Sequence, residues 1–215
     1  MSGSIFIDFV KHGKKILGVT TNYTSMLRVL NKNRPAKPTV FMKPTTSYIT
    51  EGQCIKIPNG FSVNQEIELG VVINQTCRNV KESAAMEVVA GYCVALDLTA
   101  TCQMKEARSK GLPWLFGKGF DTACPVSTFI RRDEIDPYNT QLWCCVNGSS
   151  RQEGNTCELV FTIPALISFI TQHVTLEECD LILTGTPPGI GQIVPGDVVE
   201  GGIKNVVSFK FKVTK

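Results

Sequence analysis

Asn64-Gln-Glu-Ile-Glu-Leu-Gly-Val-Val-Ile73 and Tyr92-Cys-Val-Ala-Leu-Asp-Leu98 are two short, mostly apolar stretches that carry three carboxylates between them. Both read as strands, so Glu66 and Glu68, two residues apart, project from one face. Asp97 is bracketed by Val94, Ala95, Leu96 and Leu98, where an unpaired carboxylate would be costly to desolvate. An all-carboxylate donor set is the kind that hard cations such as Mg2+, Mn2+ or Ca2+ prefer. The residues alone also allow a plainer reading, in which the two glutamates line the wet face of a strand and Asp97 caps a turn.

Outward from these stretches the signals are mostly β. Runs rich in β-branched residues, punctuated by Gly, Pro and Asn, occur at 15–19, 39–42, 54–57, 66–73, 90–98, 124–130, 142–146, 181–184, 197–200 and 206–213. The last alternates, with Val207, Phe209, Phe211 and Val213 on one face and Ser208, Lys210 and Lys212 on the other. Three helices are predicted, at 83–89, 104–110 and 163–173; Gly111 and Pro113 stop the second, and Pro164 sits in the first turn of the third. The pattern is that of an α+β chain, mostly β, forming one domain over residues 1–215.

Composition narrows the function. A chain of 215 residues with 43% hydrophobic content can bury a proper core. A formal net charge of +3 is too mild to imply nucleic acid, and the basic residues between Lys11 and Lys15 read as a solvated turn. Nine cysteines form no C-x-x-C pair and have no histidine at zinc spacing, which suits reduced structural thiols in an intracellular protein. The N-terminal stretch lacks the features of a secretory signal, and no run approaches the ~18 apolar residues of a membrane helix. The expectation is a soluble intracellular protein, mitochondrial or cytoplasmic, with no membrane partner.

An ordered set of motifs then runs along the chain: Asn22-Tyr23, Phe41-Met-Lys-Pro44, Glu66-x-Glu68-Leu-Gly-Val71, Leu96-Asp-Leu-Thr-Ala100, Gly111-Leu-Pro-Trp114, Lys118, Cys124-Pro-Val126, Val146-Asn-Gly148 and Leu183-Thr-Gly-Thr-Pro-Pro-Gly-Ile-Gly191. In order and spacing this resembles the fumarylacetoacetate hydrolase family, and within it the small acylpyruvate hydrolase/oxaloacetate decarboxylase proteins. The resemblance implies a mixed β-sandwich roll of the family's C-terminal-domain type, a homodimer, and one Mg2+ or Mn2+ held by Glu66, Glu68 and Asp97. It also implies an active-site lysine at Lys118, and substrate contacts from Lys43, Gly185 and Thr186.

The departures from the family are as informative. Family hydrolases carry a His and a Glu three residues apart on a short helix after the Asn-Tyr, and here those positions hold Met26 and Val29, in a segment expected to pack rather than react. Downstream of Asp97, Thr101, Cys102 and Met104 stand where the family has Arg, Asp and Gln. Hydrolysis needs an activated water, whereas decarboxylation of a 2-oxo acid needs only an electron sink and its tautomerisation a modest proton transfer, for which Lys118 or a metal-bound water would suffice. The expected function is a metal-dependent enzyme acting on small 2-oxo acids through a metal-stabilised enolate, like an oxaloacetate decarboxylase or tautomerase. Two alternatives stay open: a C–C hydrolase with a replaced base, and a catalytically impaired binder or structural subunit.

Overall fold

The computed structural model describes residues 5–215; Met1 to Ser4, the start of the stretch read for a secretory signal, lie outside them. The larger sheet runs, edge to edge, Ile130–Arg131, Val89–Leu96, Ile67–Ile73, Leu181–Leu183, Ile16–Val19 and Val40–Lys43. Its pairings are antiparallel except for that between Leu181–Leu183 and Ile16–Val19. A five-stranded sheet runs Ser149–Asn155, Gln141–Val146, Val198–Ile203, Val207–Thr214 and Cys54–Lys56. A three-stranded ribbon, Gly191–Ile193, Val63–Gln65 and Thr99–Ala100, closes one end. The fold is α+β and mostly β.

The two large sheets share one core, in which Leu69 and Val71 of the first lie in the same apolar cluster as Leu142, Phe209 and Phe211 of the second. Every residue of Ile67–Ile73 is buried, as expected of a strand covered on both faces and read as a near-continuous apolar run. Val207–Thr214 keeps the predicted alternation: Phe209, Phe211 and Val213 are buried, and Ser208, Lys210 and Lys212 are exposed. The helix Ile163–Thr171 starts at Thr162, whose hydroxyl accepts from Ala165 N at 3.3 Å. It buries Leu166, Ile167 and Ile170. Among the described residues no helix is long and apolar enough to cross a membrane.

Two expectations change, and one strand is unforeseen. The predicted helix at 83–89 is a 3-10 turn, Glu82–Val88. The predicted strand at 124–130 is two short pieces, Cys124–Pro125 and Ile130–Arg131. The first pairs with Tyr48–Ile49 and the second with Val89–Leu96; Pro125, having no N–H, cannot carry a ladder through the crossover. The polar segment Ser149–Asn155, unmarked by hydrophobic alternation, is an edge strand. It forms because Asn147 and Gly148, at φ +53° and +75°, turn the chain back on Gln141–Val146 in the geometry Asn-Gly favours.

Lys15 is no solvated turn residue either. Its ammonium lies 2.5 Å from the fully buried Asp180 and 3.0 Å from Glu177. Asp180 also accepts from the backbone N–H groups of Lys14, Lys15 and Glu177 at 3.0, 3.1 and 2.7 Å, so one carboxylate fastens the start of Ile16–Val19 to the turn before Leu181–Leu183. Replacing Asp180 by Ala leaves these donors unmet, and urea unfolding should show a loss of at least about 2 kcal/mol.

Candidate metal centre

Strand register assembles the three carboxylates. Ile67 stands opposite Leu96 and Glu68 opposite Ala95, and Asp97 N donates to Glu66 O at 2.8 Å, extending the ladder by one pair. Directly opposed residues of an antiparallel pair share a face, so Glu66, Glu68 and Asp97 converge. One ligand oxygen from each lies within 4.8 Å of the others. Glu68 and Asp97 are each 1% exposed, while the Glu66 side chain retains 14% exposure toward the cavity.

Two lysines answer these charges from different sides. Lys118, at the end of the short helix Leu115–Lys118, is ion-paired to Asp97, donates to Thr99 Oγ1 at 2.7 Å and lies 3.4 Å from Glu66 Oε2. Its ammonium also sits 4.5 Å from the centre of the Phe41 ring, a favourable cation–π distance. The close approach of Phe41 depends on Gly18, where a Cβ would come within 2.2 Å of the ring. Burial works to lower the Lys118 pKa, but the charges of Asp97, Glu66 and Glu68 outweigh it and raise the group above the usual lysine range. With the three carboxylates as its partners Lys118 carries a positive charge.

Lys43 departs from the substrate-binding role expected of it. It is fully buried behind Asp97, 2.8 Å from Oδ1, and donates to the carbonyls of Leu98, Lys118 and Ala123 at 3.0, 2.5 and 3.0 Å. With four oxygens around one ammonium it has no donor left for a substrate. It fixes the Asp97 loop and the Lys118 loop to each other.

Gly185 and Thr186 stand on the other side of the cluster. Gly185 N donates to Glu68 Oε2 at 2.6 Å. At φ +105°, and with Asn22 Cβ only 2.7 Å from where a Cβ would stand, this position requires glycine. Asn22 is itself saturated by Phe161 and Thr184: its amide donates to both carbonyls and its oxygen accepts from Phe161 N. The Thr186 hydroxyl lines the cavity, yet it donates to Ile67 O at 2.7 Å and accepts from Gln152 Nε2 at 2.8 Å. Gln152 escaped the sequence reading altogether, because a lone glutamine in a polar run carries no signal of its own.

The carboxylates open into a cavity of about 670 Å³. Met26, Leu30 and Met104 form part of its wall, and Lys32, Lys105 and Arg108 bring positive charge to it. Met26 and Leu27 pack as expected, but Val29 is 68% and Leu30 45% exposed. Of the helix Thr24–Val29, Met26 and Leu27 form the buried face. Thr101 also faces the cavity, whereas the Cys102 thiol turns away to Ser62 N and Gly60 O, at 3.4 and 3.8 Å.

The donor set fits a hard divalent cation. Burial raises Glu68 well above the normal carboxylate range, and the charges of Asp97 and Glu66 raise it further; burial likewise raises Glu66. Asp97 is also pushed upward by burial, but Lys118 and Lys43 hold it below its ordinary value. Glu68 is the carboxylate left short of positive charge: the Gly185 amide donates to it and Lys118 attracts it from a distance, but no cation pairs with it directly. A divalent ion among three oxygen ligands would relieve that deficit.

Comparison with known proteins agrees with this geometry. The family description fumarylacetoacetate (FAA) hydrolase C-terminal matches residues 15–214. The mitochondrial oxaloacetate tautomerase of Homo sapiens is 44% identical over 209 residues, covering 96% of this chain and 95% of the human protein. The mitochondrial oxaloacetate decarboxylase of Dictyostelium discoideum is 44% identical over 198 residues, 91% of each chain. The crystal structure of fumarylpyruvate hydrolase from Pseudomonas aeruginosa in complex with Mn2+ and pyruvate superposes with a TM-score of 0.87 at 25% identity, covering 94% of this chain and 90% of that one.

The role of Lys43 has a direct consequence. Lys43→Met keeps the volume but leaves Asp97 buried against one cation fewer, and breaking such a pair costs about 3–5 kcal/mol. Chemical denaturation of the metal-free protein should show a loss of that size; an unchanged midpoint would mean that Lys43 does not hold the cluster.

Proposed function

The chain belongs to the fumarylacetoacetate hydrolase family, and from that premise we propose that it is a divalent-metal-dependent enzyme acting on small 2-oxo acids, as an oxaloacetate tautomerase or decarboxylase. The observation that carries this reading is the convergence of Glu66, Glu68, Asp97 and Lys118 at one cavity whose helical wall offers Met26 in place of a base. Glu66, Glu68 and Asp97 would hold Mg2+ or Mn2+; the Mn2+ and pyruvate in the Pseudomonas aeruginosa hydrolase support the assignment. Bound there, the ion supplies Lewis-acid stabilisation of negative charge on the enolate of a 2-oxo acid.

The side chains of this chain do the rest. Lys118 presents positive charge to the cavity in a site where the dielectric is low, and its Nζ is the group placed to pass the proton that tautomerisation moves. Asp97 and Thr99 hold that ammonium in place. Gly185 orients Glu68, and Thr186 fixes the turn that carries Gly185. Met26 and Met104, both buried, line the cavity with groups that neither donate nor accept a proton. Positioned general bases contribute roughly 10²–10⁴-fold, and nothing on the Thr24–Val29 helix supplies one, so hydrolysis of acylpyruvates is weak. Residues 1–215 act as one catalytic domain within a homodimer. The mitochondrial relatives favour a mitochondrial over a cytoplasmic location.

The reading is tested by following the ultraviolet absorbance of oxaloacetate and of acetylpyruvate with the purified protein, with Mn2+ or Mg2+ present and then chelated. The expected result is a metal-dependent change with oxaloacetate, lost in Glu68→Gln, and hydrolysis of acetylpyruvate slower by at least about 10²-fold. Efficient acetylpyruvate turnover would reveal a base outside the Thr24–Val29 helix. Silence on both substrates with metal still bound would leave a binding or structural subunit.

A further inference from the structure

Ile67 lies between two of the three carboxylates, and both of its backbone polar groups are held by side chains from outside its own sheet pairing. Its N–H donates to Gln152 Oε1 at 2.9 Å, and its carbonyl accepts from the Thr186 hydroxyl at 2.7 Å. Gln152 Nε2 closes the ring, donating to Thr186 Oγ1 and to Pro187 O, each at 2.8 Å. Ile67, Gln152 and Thr186 therefore form a cycle of hydrogen bonds, and the residue before Thr186 is Gly185, whose N–H meets Glu68. Gln152 is 1% exposed, and its acceptor and both amide protons are used.

The strand that carries Gln152 is shaped to deliver it. Cys144 pairs with Gln152 but Cys145 with Ser150, so Arg151 is an extra residue in an otherwise regular ladder. Such a bulge re-aims the side chains beside it. Here the residues up to Arg151 are exposed, and from Gln152 the strand turns alternate residues inward. One amide thereby links the five-stranded sheet to the six-stranded sheet at the point where the carboxylates leave the backbone.

We propose that Gln152 is a positioning residue that sets the spacing of Glu66, Glu68 and the Gly185 amide, and through that spacing the affinity of the centre for a divalent cation. The proposal rests on the reading of Glu66, Glu68 and Asp97 as cation ligands. Gln152 hydrogen-bonds to none of the three ligand carboxylates. It acts through the peptide groups on both sides of Ile67 and through the turn that orients Glu68. Ligand oxygens must be held to within a few tenths of an ångström to bind well, and loss of groups that orient them typically weakens metal affinity about 10–100-fold.

The experiment measures Mn2+ affinity by titration calorimetry and by the paramagnetic resonance of free Mn2+, beside the melting temperature of the metal-free protein. The wild type comes first, followed by Gln152→Met, Thr186→Val and the double variant. Each single change is expected to weaken Mn2+ binding about tenfold or more, and the double variant to bind no worse than the weaker single, because the residues act as one unit. Where Gln152→Met fails to fold, Gln152→Asn, whose amide is one methylene short of the ring, is expected to give a smaller loss of the same kind. A lower melting temperature with unchanged Mn2+ affinity would make Gln152 a structural residue only and overturn the proposal, as would losses that add. A wild-type protein that takes up no Mn2+ overturns the cation reading itself, and that outcome is visible before any variant is made.

Discussion

Everything at this centre depends on the register between the strands Ile67–Ile73 and Val89–Leu96. Side chains alternate with a period of two, so sliding one strand by a single residue would send Asp97 to the far face and bring Leu96 or Leu98 against the glutamates. Nearly all the other residues of the pair are apolar and buried on both faces, so the register rests on shape: a Cβ at Gly70 would come within 2.6 Å of the Sγ of Cys93, the residue opposite it. A slip that scattered the carboxylates would also misplace Ile67, Leu69 and Val71 from the shared core. The same register that packs the core therefore brings the carboxylates together.

Burying three carboxylates together requires charge from elsewhere. Lys43 and Lys118 reach Asp97 from opposite sides, which is why Asp97 alone stays readily ionised while Glu66 and Glu68 are raised. The two lysines are not equivalent. Lys43 has its back to the core and is saturated by carbonyls, whereas Lys118 faces the cavity. One neutralises permanently from behind, and the other offers positive charge to whatever enters.

Much of this was legible in the sequence, for identifiable reasons. The Glu-x-Glu spacing and the apolar bracket around Asp97 report directly on face and burial, and the ordered motifs located Lys118 and the Gly185–Pro187 turn. Lys43 could not be placed correctly, because a lysine in a strand reads the same whether its ammonium meets substrate or four backbone and carboxylate oxygens. Ser149–Asn155 was invisible because edge strands need no apolar alternation, and its role came from the Asn147-Gly148 turn and a bulge. Gln152 followed it into obscurity: its partners are 34 to 85 residues distant in sequence, a separation that no local pattern encodes.

The apolar helix beside the centre then has a consistent meaning. A site that must activate water benefits from a titratable group poised over the substrate, and it must let that water in. Decarboxylation and tautomerisation of a 2-oxo acid consume no water: both need positive charge at the enolate oxygen, and tautomerisation also needs a group that carries a proton. Met26 and Met104 stand there as buried groups that cannot take a proton from water, while Lys118 and the carboxylate trio remain held by the same hydrogen bonds that lock the fold. What the cavity retains is the electron-sink half of the chemistry, and that half is anchored by residues the core itself keeps in place.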